Sequence, residues 1–472
     1  MRTIVSVLVA LAAVLSGSAA DGAAGDSESH IRIGPLQCHG ERCFLTLHLK
    51  SPAPAFAYVN TTHNTGVKLK VARGRSTRVV ALPRIVFATH GVSVQLGRAY
   101  EARSHVKIHD LPANTEASPC AALDPTDAYL SVGPTRSFDA GSSLPSTGTL
   151  HAAVIFADFS DLPGSGDPVA THSPWLADGI GFTRASSYGR LGVSLSAVTP
   201  NWVRLPKTTT QYGITDGYTY DEHQAYIQDA ITAVDSSIDF GDIDMVLVFV
   251  PPGDALPRSG TFRGQPGSLS SAEGPLHAAI TFGSDALTVD GVTFSHEVAH
   301  LLGLPDLYAI PETGDIHRYV GTWDYMGSIF TPQTDLMAWQ RLKLGWLAPD
   351  RVLCARRKGT TAVRLAPLEN GTRGAKALFV RTGPTTGLVV ENRQPLRSDA
   401  SICSAGALVY AVDSSIATGG GPIRVQGGTL DGCGSGELSD APLGLGEHLS
   451  VNGVRISVVG TPGSAIEVRV RR

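Results

Sequence analysis

Charge is scarce in this chain of 472 residues. Lys, Arg, Asp and Glu make up 17%, against roughly 25% in an average soluble protein. Lys+Arg 38 against Asp+Glu 42 leaves a formal net charge of −4. No excess of positive charge exists to hold a nucleic-acid backbone, so nucleic acid is not an expected partner. Past residue 20 the sequence lacks any apolar run long enough to span a bilayer, and no membrane span is expected. Disorder over most of the length is excluded by the 42% of hydrophobic residues, which supply ample material for cores. Gly (52) and Pro (29) point to many turns and short strands without reaching a low-complexity composition.

The first twenty residues carry a processing signal. Arg2 gives a positive start, residues 3–15 are apolar, and Ser18-Ala19-Ala20 offers small residues for cleavage. This predicts a secretory signal peptide over 1–20 and export from the cell. Cysteine is sparse but even in number: Cys38, Cys43, Cys120, Cys354, Cys403 and Cys433. In an exported chain this suggests disulfides, for which fifteen pairings exist. Cys38–Cys43 would close a small loop and Cys403–Cys433 would tie one C-terminal module. That leaves Cys120 and Cys354 by elimination. A thiolate of Cys38 or Cys43 capping a catalytic metal in a latent form is the rival to a structural disulfide there.

Between these ends the texture changes twice. FLTLHL at 44–49, VKLKV at 67–71, residues 78–87 and residues 92–96 alternate as half-buried strands do. Residues 121–147, rich in Ser, Gly, Pro and Asp, read as a linker. AAVIF at 152–156 and MVLVFV at 245–250 are continuous apolar runs, the mark of buried strands. Ile227, Ile231 and Val234 recur at helical spacing within 221–236, which makes a βαβ unit. After Trp346 short strands return at 362–365, 377–381, 387–391, 407–412 and 455–459, a pattern that fits a β-sandwich. The expected division is 1–20 signal peptide, 21–120 β-rich domain or propeptide, 121–147 linker, 148–350 central α/β domain and 351–472 C-terminal β-sandwich.

The chemistry concentrates in HEVAHLLGLPD at 296–306. His296 and His300 are four apart, so on a helix they share one face and can bind one Zn²⁺. Glu297 lies beside them, placed to act as general base on a metal-activated water. Gly303 stands where a helix can end in a left-handed cap, letting the chain turn back with a third ligand. Asp306, ten positions after His296, occupies the place where the extended motif usually has a third histidine; a carboxylate oxygen is an acceptable zinc ligand. Rivals are Asp324 in GTWDYMG at 321–327 and, more weakly, Glu312. Met326 in the same segment fits a Met-turn, a hydrophobic floor beneath the metal. Tyr308 and Tyr325 stand close enough in sequence to reach a substrate oxyanion, although packing is the ordinary role of each. Asp158, Asp161 and residues 239–244 would suit Ca²⁺, with solvated loops as the plainer reading.

Taken together, HEVAHLLGLPDLY and WDYMG resemble the immune inhibitor A family of secreted zinc metallopeptidases, in the metzincin clan. HAAVIFADFSDLP at 151–163, ASSYGRL at 185–191, YIQDAITAVDSSID at 226–239 and the segment 338–346 are similar to that family as well. So are VVENRQ at 389–394 and residues 406–413. The resemblance covers roughly 118–460. It implies an α/β metzincin-like catalytic domain, a twisted mixed sheet with the HExxH helix beneath it, flanked by N- and C-terminal β-rich domains. It further implies endopeptidase activity on protein or peptide substrates, one catalytic Zn²⁺, export and often synthesis as a pro-form. Residues 276–282, ahead of the motif helix, are the candidate edge strand for an extended substrate, with an inner strand the alternative. From other classes, a non-catalytic exported β-rich binding or adhesion protein with a vestigial metal site is the main rival. A hydrolase of non-peptide substrates is a more distant one.

Overall fold

Strand parity in the middle of the chain decides which helix each face of the sheet receives. The computed structural model describes residues 30–39, 42–51, 55–61, 66–83, 92–96, 103–106 and 143–472. Within the last span it omits 215–218, 254–255, 266, 311–313, 331–333, 356–357, 372–373, 384, 430–431, 434–437 and 462. The predicted leader, most of the predicted linker, Cys120 and Glu312 lie outside the described residues.

The central sheet is built on Gly148–Asp158. Leu191–Val198 and Val203–Arg204 pair in parallel along successive parts of one side of this strand. On the other side follow Met245–Phe249, Ala278–Phe282 and Gly260–Arg263, in that order. Only Gly260–Arg263 runs antiparallel, and it forms the edge. Ala152, Val154 and Phe156 join Leu247 and Ile280 in a core with Trp175, Leu176 and Phe294. The alternate residues Ala153, Ile155 and Val246 pack on Tyr226, Ile227 and Ile231 instead. A period-2 strand buried on both faces can serve two helical layers in this way.

Two readings of the sequence are corrected here. Residues 276–282 do not form the edge: Ala278–Phe282 is paired on both sides, and all five of its residues are buried. The predicted linker ends too late. Ser143, Leu144, Pro145 and Ser146 are buried, the Leu144 N–H donates to the Leu301 carbonyl (2.9 Å), and the Ser146 hydroxyl donates to that of Leu344 (2.8 Å). A long helix over Pro168–Ser186 went unread, because the sequence hides it. It starts on an Asp167 cap with proline in its first turn, but Pro174, Gly179 and Gly181 break the apolar period. The helix read over 221–236 runs over Tyr220–Val234, closed at its start by a reciprocal Thr219–Glu222 cap.

His223 of that helix is buried, with its Nε2 2.9 Å from the Thr281 hydroxyl. Burial pushes its pKa down from 6.5 to about 3. The folded chain therefore keeps His223 neutral where the unfolded chain takes up a proton. Its contribution is complete above about pH 6.5 and is lost as pH falls toward 3, by up to about 1.4 kcal/mol per pH unit. A His223→Gln chain should show a shallower loss of melting temperature over that window. An unchanged slope would mean that another group sets the acid sensitivity.

Beyond the central sheet, two further sheets face each other. One holds Val352–Cys354, Ala377–Arg381, Thr386–Arg393, Gly406–Asp413 and Ile423–Val425; the other holds Thr360–Leu365, Ile466–Arg471, Val454–Gly460 and His448–Val451. Leu378, Val390 and Val409 of the first meet Ile456, Val458 and Val468 of the second. The opposite face of the first sheet, through Phe379, Val389 and Tyr410, enters the same core as Phe294 and Trp339. That core crosses the expected 350/351 junction, and the described residues from Ser143 to Arg472 belong to one compact unit. Cys403 and Cys433 are joined by a disulfide, and Cys354 is disulfide-bonded as well.

The described residues between His30 and Val106 form another unit, of β-structure. His30–His39, Arg42–Ser51 and Gly74–Pro83 form one antiparallel sheet, with Leu45, Leu47 and Leu49 buried. Its register sets Cys38 opposite Cys43. Gly66–Val71, Ala55–Thr61, Val92–Leu96 and Arg103–Val106 form another.

Candidate metal centre

HEVAH lies on a helix, Val292–Leu301, whose ten residues are all buried. Its seat is the helix Pro168–Ser186. A Cβ on Gly179 would stand 2.5 Å from the Phe294 Cβ, and one on Gly291 would stand 2.4 Å from the Gly179 nitrogen. Only glycine permits this approach, and Ser295 seals it with a hydrogen bond to the Gly179 carbonyl (3.1 Å) and another with Thr183 (2.8 Å). At the other end Gly303 takes φ +94°, the left-handed turn its position suggested. That turn returns the chain beneath the helix and delivers Asp306.

His296, His300 and Asp306 converge. The two Nε2 atoms are 3.1 Å apart, and the Asp306 Oδ1 lies 3.4 Å from that of His296 and 3.1 Å from that of His300. A tetrahedral ion with bonds of about 2.0 Å separates its ligands by about 3.3 Å, so the triangle has the dimensions of a zinc site. The tautomers agree with this. His296 Nδ1 is 2.9 Å from the Tyr325 carbonyl, and His300 Nδ1 is 2.8 Å from the Leu304 carbonyl. A carbonyl can only accept, so each Nδ1 carries the proton and each Nε2 turns a lone pair toward the other. The buried Oδ1 of Asp306 has no hydrogen-bond donor. Three acceptors thus face one point, and only a proton or a metal cation relieves them. Among the described residues this is the one group of three or more His, Cys, Asp or Glu side chains spaced to hold a metal.

The electrostatics reflect the same crowding. Burial works to lower the pKa of His296, but the adjoining Asp306 carboxylate, which a protonated imidazole would pair with, and the Glu297 charge lift it to about 9. Burial would raise Asp306, yet the adjoining His300 and His296 hold it well below the usual carboxylate range. Glu297 is buried too, and burial raises its carboxyl despite the neighbouring histidines.

The edge strand Gly260–Arg263 supplies two residues that the sequence did not point to. Thr261 donates to Glu297 Oε2 (2.7 Å) and lies 3.0 Å from the Glu297 carbonyl. Arg263, two positions on and therefore on the same face, donates to the His300 carbonyl (2.9 Å). A buried cation at the C-terminal end of the motif helix is favourably placed against the helix dipole. Four residues in a short strand carry too little pattern to be found from sequence.

GTWDYMG forms a tight turn, with Gly327 N–H bonded to the Asp324 carbonyl (2.8 Å). Met326 is buried, and its carbonyl accepts from Leu307 (2.8 Å), next to Asp306. Asp324 is not in the metal group. Its oxygens accept from the backbone N–H groups of Met326 (2.9 Å) and Met337 (2.8 Å), and burial raises its carboxyl to about 7. Tyr325 is buried, edge-on to Phe182, while Tyr308 is half-buried and lies parallel to the His296 ring at 6.5 Å. Behind the turn, Arg393 donates to the Trp323 carbonyl (3.2 Å), to Glu391 (3.0 Å) and to Asp399 (2.7 Å). VVENR of the C-terminal sheet thereby braces the floor of the site.

Three of the suggested calcium ligands have partners within the fold. Asp158 pairs with Arg204 (2.7 Å), Asp161 accepts from the Thr209 hydroxyl (2.6 Å), and Asp244 accepts from the His151 N–H (2.8 Å). No protein-family model matches the chain, and no curated protein matches it.

Proposed function

We propose that this chain is an exported zinc endopeptidase related to the immune inhibitor A family, with His296, His300 and Asp306 as metal ligands and Glu297 as general base. One observation carries the reading: three buried acceptor atoms 3.1–3.4 Å apart with no donor among them, beside a buried glutamate. Zinc bound there supplies a Lewis acid for a scissile carbonyl and lowers the pKa of water. Glu297 takes a proton from the attacking water and passes it to the leaving amine, and Thr261 holds its carboxylate for both transfers. Among the described residues, Gly260–Arg263 is paired only to Ala278–Phe282, so its outer edge can align an extended peptide by backbone hydrogen bonds. Protein or peptide is therefore the substrate class.

The test is casein hydrolysis by the exported protein. Activity should vanish with a chelator and return with added zinc. A zinc-loaded protein that cleaves neither casein nor short peptides would leave the β-rich binding protein as the better reading.

A further inference from the structure

The third ligand is gripped by a residue far along the chain. Thr418 lies 112 positions after Asp306, in the connection between Gly406–Asp413 and Ile423–Val425. Its hydroxyl accepts from the Asp306 N–H (3.0 Å) and donates to Asp306 Oδ2 (3.3 Å). Two backbone bonds flank it: Gly419 N–H to the Asp306 carbonyl (3.2 Å) and Ile310 N–H to the Gly419 carbonyl (3.0 Å). Gly419 adopts φ +70°, and a Cβ there would stand 2.4 Å from that of Ile310. The connection is pressed against the ligand segment too closely for any side chain at that point. The carboxylate is thus divided: Oδ2 is engaged by Thr418, while Oδ1 faces the histidines without a donor.

We propose that Thr418 is the positioning residue of the metal centre, fixing the Asp306 carboxylate so that Oδ1 alone meets the zinc. This rests on the zinc reading above. Outer partners that orient a ligand contribute about 10–100-fold to metal affinity. The C-terminal β region is on this account part of the site, because it carries the hydroxyl.

The experiment is zinc affinity of the full chain, by competition with a chromogenic chelator, for wild type, Thr418→Val, Thr418→Ala and Thr418→Ser. Circular dichroism of the metal-free proteins establishes that each is folded. The Val and Ala chains should bind zinc about 10–100-fold more weakly, and Ser, which keeps the hydroxyl, should stay near wild type. Native affinity in a folded Val or Ala chain would overturn the role, as would equal weakening in Ser. A wild-type chain that binds no zinc would overturn the metal reading and this proposal with it.

Discussion

Replacing Glu297 by Ala should leave zinc in place and stop peptide hydrolysis. None of the three converging atoms belongs to Glu297, so the metal loses no ligand. The helix is held by other contacts: Gly179 against Phe294, Ser295 to Gly179, and Arg263 on the His300 carbonyl. What disappears is the carboxylate that moves the proton, a contribution of about 10²–10⁴-fold. The measurement pairs zinc per chain with turnover of a short peptide. The expected pattern is unchanged zinc and a rate reduced on that scale. A native rate would remove Glu297 from the chemistry, and loss of zinc would make its role structural.

Asp306→Ala should act on the metal itself. It deletes one corner of the triangle and leaves two imidazoles 3.1 Å apart, while the backbone bonds of residue 306 to Thr418 and Gly419 remain to hold the returning chain. Zinc affinity should fall by more than about 100-fold, beyond the range of an outer-shell loss. Asp324→Ala is the contrast. It orphans the N–H groups of Met326 and Met337, at a cost of about 1–3 kcal/mol each, and so should lower the melting temperature first. The folded Asp324→Ala chain should still bind zinc. If that chain loses the metal while Asp306→Ala keeps it, the third ligand is misassigned.

The two histidines, Glu297 and the turn at Gly303 were legible because their geometry is local. Four residues make one helical turn, and one glycine in a left-handed conformation reverses the chain. Asp306 was preferred over Asp324 for its place ten residues after His296, although both follow the motif at a workable distance. Their surroundings separate them: one meets two imidazoles, the other two backbone N–H groups. Residues 276–282 misled because an apolar run was read as an edge, whereas burial on both faces belongs to an inner strand. Serine and proline at 143–146 suggested a linker, yet a small polar residue packs well once a carbonyl takes its hydroxyl, as Leu344 does for Ser146. The helix Pro168–Ser186 was invisible because the glycine that spoils its pattern lets the motif helix approach.

The apolar runs and eleven consecutive residues were enough to mark two buried strands and the segment that carries the candidate metal-binding histidines. Those properties depend on residue type and on spacing within a single helix and turn. Tertiary structure brought Asp306 to the two imidazoles, set Thr261 on Glu297, made Gly260–Arg263 the edge, and brought Thr418 across 112 residues to Asp306. Contacts between distant segments follow from how sheets and helices pack, and no local pattern records them.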